Sequence, residues 1–67
     1  MIIVNGESSG VHAGEPITAV LAYLDVAPDT RGIAVAVDGE VVPRPMWESF
    51  RLGDDARVEV LTAMQGG

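Results

Sequence analysis

Two dipeptides, Asn5-Gly6 and Asp38-Gly39, constrain the fold of this chain more than any other feature of it. A two-residue type I′ turn needs positive φ at both central positions, and Asn or Asp followed by Gly tolerates that best. Each dipeptide is flanked by short β-prone runs, so each predicts a hairpin. Met1 to Val4 leads into the first turn, and Glu7 to His12 returns from it as a weakly apolar edge strand. Ile33 to Val37 leads into the second, with Ile33, Val35 and Val37 on one face and alanines on the other. Glu40 to Val42 returns, and Pro43 stops it.

Between the hairpins the period changes. Ala13-Gly14 breaks the first, and Pro16 suits the first helical turn, where a missing N–H is harmless. Ile17, Val20, Leu21 and Leu24 follow the i, i+3, i+4, i+7 spacing of one apolar helical stripe. Pro28 bars continuation, and Asp29 to Gly32 reads as loop. After the second hairpin, Pro43 to Asp55 holds Trp47, Phe50 and Leu52 without a sustained period, and predicts a short helical turn near Pro45 to Glu48 and then loop. Arg57 to Met64 alternates as a last strand. The order β-β-α-β-β-(turn)-β predicts an α+β domain: one helix across a mixed sheet of about five strands, the first and last parallel at its centre. The expected core is Ile17, Val20, Leu21, Leu24, Val35, Val37, Val58 and Val60. Trp47 is expected to cover one end of it.

Sixty-seven residues allow a single small domain. A chain of this size buries only about 60% of its unfolded surface, so its stability margin is thin. With no cysteine there is no disulfide and no thiolate chemistry of its own. Leu, Ile, Val and Phe make up 19 of the 67 residues, enough to fold. A net charge of −6 argues against nucleic acid and anionic membranes as partners. The four basic residues are all arginines, at 31, 44, 51 and 57, and lysine is absent. No apolar run approaches spanning length, and no basic segment precedes an apolar one at the start. The expected location is the cytoplasm.

The sequence closes on Gly66-Gly67. Nothing follows for the pair to turn into or cap, which leaves a frayed end or a functional tail. A tail without Cβ atoms enters a channel that side chains would block. Domain and tail divide accordingly, 1–64 as the folded part and 65–67 as a flexible C-terminal tail. Within the last strand Glu59, Leu61 and Ala63 alternate with Val58, Val60 and Thr62. With the valines facing the helix, Leu61 and Glu59 lie on the outer face beside the tail, as candidates for partner docking. His12, the only histidine, lacks a second ligand for a metal. The carboxylates form no acid–base pair; they serve solubility and steering toward basic surfaces.

Four features together resemble the ubiquitin-like β-grasp family, and within it the ThiS-type sulfur carriers of thiamine thiazole synthesis. They are the Asn5-Gly6 hairpin, the stretch Ala34 to Arg44 with its Val42-Pro43-Arg44 and following Trp47, Leu52-Gly53-Asp54 entering the last strand, and Gly66-Gly67. Asp38 stands where asparagine is usual in the family, and both residues suit a turn. The resemblance implies a carrier rather than an enzyme. A ThiF-type adenylating enzyme uses ATP to adenylate the terminal glycine, here Gly67. A persulfide donor displaces AMP to leave a thiocarboxylate, and a ThiG-type thiazole synthase takes the sulfur. The implied tail-recognition residues are Met64, Gln65 and Gly66, and the chain itself binds no cofactor or metal. From Met64 to Gly67 an extended chain reaches at most roughly 13–14 Å. Two alternatives stay open: a carrier subunit for molybdopterin synthesis, and a ubiquitin-like protein modifier.

Overall fold

The computed structural model describes residues 1–62. Strands β1 (Ile3–Val4) and β2 (Glu7–Ser8) form the first hairpin, and helix α1 spans Ile17–Tyr23. Strands β3 (Ile33–Val37) and β4 (Glu40–Val42) form the second; a 3₁₀ turn over Arg44–Met46 and strand β5 (Arg57–Thr62) follow. The sheet order is β2-β1-β5-β3-β4, with β1 and β5 parallel and the other neighbours antiparallel. Both turns adopt the expected backbone: φ is 50° and 84° at Asn5 and Gly6, and 51° and 87° at Asp38 and Gly39. The element order, the single helix and the central parallel pair all match the sequence expectation. This is the ubiquitin-like β-grasp architecture.

The helix begins later and ends sooner than its flanking prolines imply. Pro16 is not in the first turn but is the extended residue before it, and it forms an isolated antiparallel bridge with Arg51. Gly14 N–H donates to the Leu52 carbonyl at 2.7 Å, and Leu52 N–H donates to Glu15 at 3.0 Å. Ile17, whose N–H has no partner inside the helix, donates to the Trp47 carbonyl at 3.1 Å. At the other end Asp25 takes φ 61°. Val26 N–H bonds the Leu21 carbonyl at 2.8 Å and Asp25 N–H bonds Ala22 at 3.0 Å. That pair of bonds is a Schellman closure with Asp in the left-handed position. Val26 packs on the core that holds Leu21, the apolar contact which usually accompanies the motif.

The returning strand is shorter than the sequence suggests, because Ser9 intervenes. Its Oγ donates to the Ile2 carbonyl at 2.8 Å and accepts from Val11 N–H at 3.2 Å. This turns the chain inward, so Val11 joins the core instead of continuing an edge.

Ile2, Ile17, Val20, Leu21, Val35, Leu52 and Val58 are fully enclosed between helix and sheet. Leu24 and Val60, expected there, are only half-buried at its margin. Trp47 closes one end as expected, and its Nε1 donates to the Val42 carbonyl at 2.8 Å. Arg44 lies over the Trp47 ring, 4.5 Å from the guanidinium carbon to the centroid. Its two terminal nitrogens donate to the carbonyls of Pro28 and Thr30, so one side chain pins the loop that leads into β3. The Val-Pro-Arg…Trp element is therefore a brace between loop, core and edge strand.

Candidate functional site

Strand alternation divides β5 into two sets. Val58 and Val60 point at the helix, while Arg57, Glu59 and Leu61 point outward. Register extends the outward set across the sheet. Glu59 lies opposite Ala36, Ala36 opposite Val41, and Leu61 opposite Ala34. The alanines make a low floor from which two apolar side chains rise, Leu61 at 58% exposure and Val41 at 72%. Leu61 and Glu59 therefore stand where the sequence places them, exposed on the outer face. Val41 was not singled out in advance, although the alternation of Glu40–Val42 with Val42 inward already turns it out.

An open depression of about 470 Å³ lies at the other end of the same face, lined by Ile3, Gly6, Asp38, Gly39, Arg57, Val58 and Glu59. Its charged groups are one guanidinium and two carboxylates. Asp38 is partly committed, since its Oδ1 accepts from Arg57 N–H at 2.9 Å. The first turn does the same on the other side of β5: Asn5 Oδ1 accepts from Val60 N–H at 2.9 Å. Each turn residue thus supplies a side-chain oxygen to the central strand.

Among the described residues no group of three or more His, Cys, Asp or Glu could hold a metal. His12 is exposed, with Nδ1 3.4 Å from Glu15 Oε2, and the same oxygen accepts His12 N–H at 2.7 Å. The Met1 α-amine, 2.8 Å from Asp55, holds that carboxyl below the usual carboxylate range by hydrogen bonding and then by charge. This pair is surface chemistry, far from the outward set in role. No helix among the described residues is long and apolar enough to cross a membrane. Met64, Gln65, Gly66 and Gly67, named as tail-recognition and attachment residues, lie outside the described residues.

Fold and face together define a ubiquitin-like β-grasp domain whose central strand exposes Leu61 on its outer face and precedes the paired glycines in the sequence. Residues 2–67 match the ThiS family, and the chain belongs to it. A crystal structure of a thiamine biosynthesis protein (ThiS) from Geobacter metallireducens is similar, with 29% identity and a TM-score of 0.74. The match covers 98% of this chain and 97% of that one. A solution structure of a thiamine biosynthesis protein from the same organism has 34% identity and a TM-score of 0.71, over 98% and 86% of the two chains. No curated protein sequence matches the chain.

Proposed function

We propose that this protein is a sulfur carrier for thiazole formation in thiamine synthesis, with Gly67 as the point of attachment. The observation that carries this is the match to the ThiS family over residues 2–67, which takes in the two glycines. The exposed Leu61 on the strand that precedes them supports it. An α-carboxyl titrates near 3.3–3.7, so at neutral pH Gly67 is an anion and a poor electrophile. A ThiF-type enzyme overcomes this with ATP: the carboxylate oxygen attacks the α-phosphorus, pyrophosphate leaves, and an acyl adenylate forms. The terminal sulfur of a persulfide then adds to the carbonyl and AMP departs. Reduction of the resulting acyl disulfide by a second thiol frees the thiocarboxylate. A ThiG-type thiazole synthase receives that sulfur. The carrier contributes no catalytic residue and binds no cofactor of its own. It supplies an unhindered acyl group, a tail with no Cβ at its last two positions, and a docking surface at Leu61 and Glu59. Met64 and Gln65 are the tail's first contacts with the partner.

Intact mass of the protein from thiamine-starved cells should show a fraction heavier by one sulfur-for-oxygen exchange, which fragmentation assigns to Gly67. One residue added after Gly67 should abolish it, because a shift of about 1 Å at a reacting centre already costs roughly 10²-fold. Gly66→Val should be severe, since it places a branched Cβ in the channel. Sulfur loading of the extended chain would overturn the proposal and leave the glycines an idle end.

A further inference from the structure

The hydrogen-bonding register of β5 leaves one stretch of its backbone open. In antiparallel pairing, residues alternate between facing the partner strand and facing away. Asp38 N–H donates to the Arg57 carbonyl at 2.8 Å, which fixes Arg57 as a residue that faces β3. By alternation Glu59 and Leu61 do likewise, opposite Ala36 and Ala34. The N–H and C=O groups of Val58, Val60 and Thr62 therefore point the other way, toward β1. The rungs on that side agree: Ile3 N–H donates to the Ala56 carbonyl and Asn5 N–H to the Val58 carbonyl, both at 2.9 Å.

Then β1 runs out. It ends at Val4, the Asn5-Gly6 turn reverses the chain, and β1 pairs with β5 only at Arg57 and Val58. The next β5 donor, Val60 N–H, is met by the Asn5 side chain instead of by backbone. Beyond it, no described residue bonds the Val60 carbonyl or Thr62 N–H on this side. Thr62 is exposed and Val60 half-buried, which leaves this stretch of edge within reach of solvent.

We propose that this open edge, Val60 to Thr62, receives an extended backbone segment of the adenylating partner, which adds to the sheet beside β5 where β1 stops. The occupant's chemistry follows from the groups on offer. An alternating acceptor and donor at strand spacing is matched by another extended main chain. A second copy of this chain is a poor occupant, because three residues bury far less than the ~1,200 Å² of a stable interface. The edge works only as an extension of an interface made elsewhere. It lies on the same strand as Leu61, so a partner seated on that face reaches the edge without a separate docking event. Asn5 limits the pairing: its side chain blunts the edge by one rung and leaves open only the part next to the tail. This inference rests on the carrier reading, and the added strand would align the tail before chemistry.

The test is amide hydrogen exchange of the ¹⁵N-labelled full chain, free and saturated with a ThiF-type adenylating enzyme. The Thr62 amide should exchange near the open-chain rate when free and slow at least about tenfold in the complex. Thr62→Pro removes only the N–H that points away from β3, so it should keep the fold and bind at least about tenfold more weakly. Thr62→Ala keeps the N–H and should bind like wild type. An unprotected Thr62 amide in the saturated complex overturns the proposal, and so does wild-type affinity in a folded Thr62→Pro. If Thr62→Pro fails to fold, the exchange result on the wild-type chain decides. Failure of the wild type to bind the enzyme at all would instead sink the carrier reading.

Discussion

The inward and outward faces of β5 are built from the same six residues and do opposite things. Val58, at 1% exposure, is sealed in the same core as Ile17, Leu21 and Val35, while Leu61 three residues on is 58% exposed. Because the two sets interleave, a one-residue slip in pairing would exchange them. Register is therefore held from both sides, by β1 and the Asn5 side chain on one and by β3 and the Asp38 side chain on the other. If Leu61 docks a partner as proposed, stability and recognition share this strand through residues that point in opposite directions.

The most forceful attempt to break this separation is Leu21→Ala. It removes a fully buried side chain from the core that also holds Val58 and should cost about 2–5 kcal/mol, read from denaturant unfolding. For a domain this small that is a large part of the total stability. A loss below ~1 kcal/mol would mean that the inner face repacks freely and does not carry the fold. Next comes Leu61→Glu on the other face. Affinity for the adenylating enzyme in a titration should fall at least about tenfold, a change of about 1.4 kcal/mol. Unfolding free energy should stay within about 0.5 kcal/mol of wild type. If the variant melts early, the faces are not separable.

The smallest effect belongs to Asp55, which is remote from either face's duty. Its carboxyl is held low by the Met1 amine, so the pair stabilises the protein above the ordinary carboxylate range. That stabilisation is lost as pH falls through the lowered pKa. Asp55→Asn should therefore lower the melting temperature slightly at neutral pH, as expected of an exposed, screened pair, and leave its value at the acid end unchanged. A large shift at neutral pH would show that the pair supports the β1–β5 centre.

What the sequence made legible was the part governed by local rules. Asn5-Gly6 and Asp38-Gly39 need positive φ, and the stripe Ile17, Val20, Leu21 needs a helix, so hairpins and helix could be read directly. The alternation of Arg57–Thr62 put Leu61 and Glu59 outside. What stayed hidden depends on contacts between distant segments. Ser9 ends β2 by bonding Ile2, and Pro16 is drawn out of the helix by pairing with Arg51. Ile2, Val11, Leu52 and Ala56 enter the core from stretches with no period to betray them. Asp25 ends the helix in a conformation more often left to glycine, which no apolar pattern signals. The open edge beside Val60 was equally invisible, because it arises from how far one strand outruns another.

The central pairing of β1 with β5 joins the third residue of the chain to the fifty-seventh. Such a contact can form only after nearly everything between has been laid down, so its loop-closure entropy must be met before the pairing repays it. A nascent chain synthesised only as far as β4 holds two detached hairpins, each marginal alone. The surface that bears Leu61 does not exist in that chain, since the strand carrying it is the one that joins the halves. Completion of this face is thus timed by translation itself: a partner docking at Leu61, as proposed, would engage completed molecules and ignore unfinished ones.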